Sequence, residues 1–273
     1  RLPLDIQFIF TSNPEDYTNR GSIVTPLKDR IGSQILTHYP ESVDIAKTIT
    51  SQESKLNSET ISKIHIPEIA RDIIEQVSFE ARESELVDKK SGVSARMSIT
   101  SLQNLISSAE RRMLINKEEI TSIRMSDFNS VISSINGKVE LVYEGEEEGA
   151  EQVSYNLISD AVKTLFTKYF PKIEKLTKPD EISVYDSILE WFTVNQVVLR
   201  DDLSNKDYES ILNKVKDADS LLNKFIPEID KKDKLFFIEF LLWGLESFNK
   251  LTIMRTNNGV EFKDPFNNFI NKI

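Results

Sequence analysis

FIFTSNPEDYTNRGSIVTPLKDRIGS, residues 8–33, joins an apolar run to a charged loop. Residues 4–10, LDIQFIF, read as one buried strand. The strand ends at Thr11-Ser12-Asn13, and Asn13-Pro14 breaks the chain into a loop. A lone strand leaves its backbone groups unpaired, so this one needs ladder partners. No run of comparable strands follows, and the chain opens with Arg rather than Met. The expectation is that the rest of the sheet lies upstream of Arg1. Residues 33–40, SQILTHYP, are a candidate second short strand leading out of the loop.

The bulk numbers narrow the function classes. With 273 residues, the chain is long enough for one large domain or two ordinary ones. Lys and Arg total 34 against 44 Asp and Glu, a formal net charge of -10, which argues against a general nucleic-acid surface. The absence of cysteine excludes disulfides and thiolate metal sites. It fits a reducing compartment, and a cytoplasmic location is the expectation. Two histidines, His38 and His65, are too few for a histidine zinc centre, and no G-x-S-x-G accompanies them. Both read as structural or surface residues. Residues 1–10 do not have the pattern of a signal peptide. The most apolar run, LFFIEFLLWGL at 235–245, falls short of the roughly 20 residues a bilayer span needs and contains Glu239. It reads as a buried helix.

Helical spacing dominates the remainder. Residues 40–56 open at Pro40-Glu-Ser. Pro67 sits where a first-turn proline belongs, with Ile69, Ile73, Ile74 and Val77 following at helical intervals to about Ser84. SGVSARMSITSLQNLISSAERRMLI gives a loop and then a helix bearing Leu102, Leu105, Ile106, Ala109 and Met113. A further helix is expected from about Ser126, with Asp127 in its first turn. Residues 136–150 change character: KVELVYEG looks extended, and the acidic GEEEG favours a turn. We place a linker there. QVSYNLISDAVKTLFTKYF, EISVYDSILEWFTVNQVVL, DYESILNKVKDADSLLNKFI and KDKLFFIEFLLWGLESFNKL then read as successive helices. The expected class is mainly α, with boundaries at 1–39, 40–135, 136–150 and 151–273.

Four places carry candidate chemistry. Asn13 ends the strand where α/β proteins put their ligand crevice, and its amide can orient a water or touch a phosphate; it also suits a plain turn. Arg30, in TPLKDRIGS, suits charge on a transferring phosphoryl group; it equally suits an ion pair with Asp29 or Glu15. Arg20 is a second candidate in the same loop. Arg96 opens a helix after Gly92 and Ser94, where free N–H groups already favour anions; it also suits a solvated position beside a cap. EGEEEG, residues 144–149, lacks the alternating ligand spacing of a calcium loop and reads as a solvated linker.

Together these pieces are more specific than any one of them. FIFTSNPEDYTNRGSIVTPLKDRIGS resembles the stretch of magnesium-chelatase-type AAA+ ATPases in which a strand ends in Asn-Pro-Glu and a Leu-Asp-Arg-aromatic-Gly signature follows. GVSARMSITSLQNLISSAERRML resembles the Gly-x-Ser-x-Arg helix start in the lid of the same group, which includes the MoxR-like proteins. The resemblance covers about residues 4–115 and implies roles. Asn13 matches the sensor that positions the attacking water, and Arg30 matches the arginine finger that reaches a neighbouring subunit's nucleotide. Arg96 matches the lid sensor that touches the nucleotide. It implies an AAA+ core remnant at 1–39, a helical lid at 40–135 and a helical C-terminal domain.

The sequence departs from that pattern. Ile31 stands where an aromatic is usual, and Lys28 where Leu is more usual. No Walker A G-x-x-x-x-G-K-[ST] occurs, and no apolar strand ends in Asp-Glu for Walker B. These 273 residues alone are therefore not expected to hydrolyse ATP or to bind ATP and Mg²⁺ tightly. The resemblance implies a ring ATPase, with further chain upstream, that remodels a client protein or inserts a metal into it. Its partners would be copies of itself and that client, with no nucleic acid and no membrane span. The alternative is a non-catalytic helical scaffold or docking module.

Overall fold

The computed structural model describes residues 6–11, 25–173, 183–256 and 258–265. The chain divides into two compact units, Arg1–Tyr39 and Pro40–Ile273. In the first, a single helical turn, α1 (Thr25–Lys28), is the one regular element among the described residues. The expected buried strand at 4–10 is not formed over its described part. Residues 6–10 have no ladder, and Ile6, Phe8, Ile9 and Phe10 are all exposed. Residues 33–39 likewise form no strand, and Ile35 and Leu36 face solvent. The physical reason is the one that made the strand demanding: no described segment pairs with it, and an unpaired extended chain neither satisfies its backbone nor buries its side chains.

The second unit is mainly α. It runs α2 (Val43–Glu53), α3 (Ser58–Lys63), β1 (Ile64–His65), α4 (Glu68–Glu83), α5 (Arg96–Ile115) and β2 (Thr121–Ser122). A 3₁₀ helix (Met125–Val131) continues into α6 (Ile132–Asn136), then α7 (Tyr143–Glu148) and α8 (Ala150–Tyr169). After it come α9 (Asp186–Phe192), β3 (Val197–Arg200), α10 (Asn205–Leu212), α11 (Ala218–Phe225), α12 (Lys234–Ser247), β4 (Thr252–Thr256) and β5 (Gly259–Lys263). Among the described residues, no helix is long and apolar enough to cross a membrane.

The helical stripes read from the sequence form the core. Pro67 precedes α4, which buries Ile69, Ala70, Ile73, Ile74, Val77 and Ala81 on one face. α5 buries Leu102, Leu105, Ile106, Ala109 and Met113. α8 lies along α4 and α12, with Leu157, Ala161, Val162, Leu165 and Phe166 buried between them. Helices on both sides of 136–150 thus share one core. Within the segment read as a linker, Leu141 bridges Val87 and residues Tyr143–Glu148 are helical.

The C-terminal half is not purely helical. EISVYDSILEWFTVNQVVL is helical only to Phe192, and its Val-Val-Leu forms β3. β3 and β4 flank β5 in an antiparallel sheet, with Val197 opposite Phe262, Leu199 opposite Val260 and Arg255 opposite Val260. Val197, Leu199, Val260 and Phe262 are buried, so one face of the sheet closes the core. Gly259 (φ +147°) is required at the start of β5, since a Cβ there would lie 2.1 Å from the Leu199 carbonyl oxygen. The expected helix at 207–226 is also broken: α10 ends at Leu212, and Asp217 adopts a left-handed conformation (φ 59°) before α11. A separate pair, β1 and β2, runs parallel for two residues each, with Ile64 opposite Thr121.

Candidate functional site

Of the residues singled out above, Asn13 and Arg20 lie outside the described residues. Arg30 follows α1 and is exposed. Its backbone N–H donates to the Leu27 carbonyl at 3.0 Å and its Nη1 to the Pro26 carbonyl at 3.2 Å. Among the described residues no carboxylate pairs with it. Arg96 is the first residue of α5 and is exposed. Its backbone N–H donates to Ser94 Oγ at 3.2 Å, and its guanidinium has no hydrogen bond or ion pair among the described residues. Arg30 and Arg96 belong to different units.

The start of α5 has an unusual electrostatic make-up. Its N-cap is Ala95, without a side-chain cap, and no acidic residue stands in its first turn. The helix end therefore presents a bare cation above N–H groups that no carboxylate neutralises, an arrangement that suits a phosphate. The turn is anchored from below. Ser98 is buried, with its hydroxyl 2.7 Å from that of Ser78 on α4. Glu75 of α4, only 3% exposed, lies near the hydroxyls of Thr50 of α2 and Ser98 of α5. Burial pushes its carboxyl above the ordinary range, while those two hydroxyls oppose the shift. A shallow cleft beside it, with room for about one water, is lined by Lys47, Thr50, Arg71, Glu75 and Leu102.

Lys47 fixes α2 to α4 at the same junction. Its ammonium lies 2.6 Å from Asp72, 2.8 Å from Glu68 and 3.1 Å from Asp44. Burial lowers its pKa, but hydrogen bonds to the three carboxylates raise it by more. Lys47 therefore stays charged.

A second polar constellation, unforeseen in the sequence, joins α5, the 3₁₀ helix, α10 and α12. Arg112 pairs with Asp127 Oδ1 and donates to the Ser122 carbonyl at 2.7 Å. The other Asp127 oxygen accepts the Arg124 backbone N–H at 2.8 Å. The Arg124 guanidinium lies 4.1 Å above the Tyr208 ring and donates to the Leu203 carbonyl at 2.9 Å. Glu239 Oε2 accepts from Tyr208 OH at 2.5 Å and from the Met125 N–H at 3.0 Å. Burial pushes the Glu239 carboxyl up to about 7, aided by the nearby Asp127 charge and opposed by the Tyr208 hydrogen bond. Burial, with repulsion from Arg112, lowers Arg124 to about 10, which leaves it charged at neutrality. The group is enclosed: Arg112, Arg124, Asp127, Tyr208 and Glu239 are all at most 5% exposed. It is a structural joint rather than a place where substrate meets a side chain. Its one sequence signal is Glu239 itself, a carboxylate inside an apolar helix that must find partners.

The histidines hold ordinary positions. His38 Nδ1 lies 2.8 Å from the Tyr39 carbonyl, and His65 Nε2 lies 2.5 Å from Asp233. The acidic run forms α7 instead of a turn, with Glu144, Glu146, Glu147 and Glu148 on its six residues. Among the described residues, no three His, Cys, Asp or Glu side chains form a group able to hold a metal ion. Comparison with protein-family models, with curated proteins and with solved structures finds no significant match.

Proposed function

We propose that this chain supplies the lid and subunit-contact elements of a chelatase/MoxR-like AAA+ ATPase, a ring that couples ATP hydrolysis to remodelling of a partner protein or to metal insertion into it. The observation that carries the reading is Arg96. It is an exposed, unpaired guanidinium on the first turn of a helix of 20 residues, a turn without an acidic residue, in the Gly-x-Ser-x-Arg context. The exposed Arg30 in TPLKDRIGS adds to it. The residues present fit phosphate contacts but not a whole nucleotide site, since no phosphate-binding loop or Walker B occurs in the sequence. In this reading other polypeptide supplies those parts.

In this reading Arg30 projects to a neighbouring subunit and adds positive charge beside its phosphates. Asn13 holds a water in line, and Arg96 contacts phosphate from the lid. An arginine supplied in trans contributes on the order of 10³–10⁵ in rate. ATP turnover of the complete gene product is the test. Arg30→Ala is expected to abolish turnover while nucleotide binding persists, and mixed assemblies are expected to be poisoned. Unchanged turnover in Arg30→Ala would remove the finger role.

The alternative, a non-catalytic docking module, is favoured by one observation: Leu114, Ile115 and Ile120 are exposed around the end of α5. A complete gene product that neither binds nor hydrolyses ATP would select it.

A further inference from the structure

We propose that Tyr143 is a phosphoryl-acceptor site, and that a phosphate on it loosens the segment that leads into the 88–95 loop. The fold separates this tyrosine from the others. Tyr185 and Tyr208 are buried, with their hydroxyls on the Pro171 carbonyl and on Glu239. Tyr169 packs its ring on Phe237, and Tyr155 lies under the Arg255 guanidinium with its hydroxyl 3.5 Å from Glu151. Tyr39 is less exposed, at 46%, and makes contacts of its own. Tyr143 is 69% exposed, and its hydroxyl has no hydrogen bond among the described residues. It also stands in a charged frame that a transferase can read. Glu140 precedes it, Glu144, Glu146, Glu147 and Glu148 follow, and the nearest cations in sequence are Lys138 and Lys163. A basic subsite beside a kinase's nucleotide meets complementary charge on both sides of the hydroxyl. The partner is therefore a tyrosine kinase. The γ-phosphoryl group of its nucleoside triphosphate bonds to the phenolic oxygen, the bond to the departing diphosphate breaks, and the phenolic proton passes to the kinase's base.

The consequence follows from what the neighbours of Tyr143 hold. Residues 140–145 clamp residues 86–91. The Val142 N–H donates to the Leu86 carbonyl at 3.1 Å and the Asp88 N–H to the Glu140 carbonyl at 2.8 Å. The Ser91 hydroxyl donates to the Glu140 carboxylate, and Leu141 bridges Val87. Gly145 packs so closely that a Cβ there would lie 2.5 Å from the Leu86 carbonyl oxygen. Asp88 in turn shapes the loop before α5. Its carbonyl accepts the Gly92 N–H at 3.3 Å, and its carboxylate accepts the Lys90 N–H at 2.9 Å. α7 is six residues long and already carries four glutamates. A phosphate adds a charge of about −1.5 to −2. Glu146 and Glu147 stand three and four residues on, where like charges oppose a helix. A helix this short is marginal by itself, so its grip on Leu86–Asp88 weakens. Any effect on Arg96, at the far end of the loop, rests on the phosphate-contact reading; the acceptor role does not.

The test incubates the folded chain with ATP and a tyrosine kinase that accepts a synthetic copolymer of glutamate and tyrosine. Mass spectrometry and amide hydrogen exchange then read the product; neither needs ATPase activity in this protein. One phosphate is expected, on the peptide containing Tyr143, and Tyr143→Phe should remove it. No incorporation there, or phosphate spread over the other tyrosines, overturns the acceptor role. The phosphoprotein is expected to exchange about 2- to 5-fold faster across residues 86–92, with residues 69–81 of α4 unchanged. Incorporation with unaltered exchange overturns the loosening. Protein isolated from its own cells should carry phosphate at Tyr143 in some fraction of molecules. A sulfate at that position, or bare tyrosine in every growth condition sampled, overturns the kinase as partner. Each of these failures leaves the Arg96 reading standing, whereas wild-type turnover in Arg96→Ala removes that reading and leaves the Tyr143 site.

Discussion

α12 presents two different interiors on its opposite sides. Toward α8 it packs an aromatic seam: Phe166 meets Phe240 at 6.0 Å, Phe248 at 5.7 Å and Phe170 at 5.0 Å between ring centroids. Toward α10 and the 3₁₀ helix it offers Glu239 to the Tyr208–Arg124–Asp127–Arg112 joint. The first side gains stability from area removed from water and from close packing. The second gains little net energy, because desolvating two guanidiniums and two carboxyls nearly offsets their mutual attraction. What the joint provides is direction. Hydrogen bonds accept few geometries, so they fix how α5 and α10 meet α12, whereas an aromatic seam tolerates some sliding.

The sharpest way to break this contrast is on the seam. Phe166→Ala, at a fully buried position, should cost about 3–5 kcal/mol in chemical denaturation. A loss under about 1 kcal/mol would mean that the rings repack and the seam is not a jigsaw. On the joint, Asp127→Ala should cost about 3–4 kcal/mol, since it strands the buried Arg112 and unties the Arg124 backbone.

Acidity probes the joint without altering its shape. Glu239 is raised to about 7 in the folded protein from an ordinary value near 4.5. The native state therefore binds more protons than the unfolded state between those values. The stability contributed by this group is fully present below pH 4.5 and is lost as pH rises through about 7. The loss is on the order of 3 kcal/mol, and denaturation midpoints of wild type against Glu239→Gln should diverge across that window. Parallel pH curves for the two proteins would contradict a raised Glu239.

A smaller effect is expected at Gly244, where an added Cβ would fall 2.0 Å from the Phe166 ring. Gly244→Ala should cost about 1–3 kcal/mol despite the better helix propensity of alanine. A stabilised variant would show that the ring gives way. The smallest effect sharpens the comparison most. Replacing both members of the buried pair, Arg112→Met with Asp127→Leu, should change stability by less than about 1–2 kcal/mol, far below the single Asp127 substitution. If the double variant is as damaged as the single one, the joint stabilises in its own right.

What the sequence determined alone is what a local rule can reach. α4 and α5 were legible because an apolar residue every three or four positions makes one face of a helix, and Pro67 marks where α4 begins. Arg96 was legible for the same reason: its place at a helix start follows from its immediate neighbours. Asn-Asn-Gly at 257–259, between alternating runs, was a hairpin signal that helical spacing upstream overshadowed. The tertiary structure decided everything that needed a distant partner. Val197 and Leu199 became a strand because β5 lies beside them some sixty residues later. Residues 6–10 did not, for want of any described partner. Arg112 found Asp127, Tyr208 found Glu239, and Ser78 found Ser98 across helices. Periodicity reports which face of an element turns inward; only packing decides which polar group it meets there, because that choice depends on desolvation and geometry summed over several elements at once.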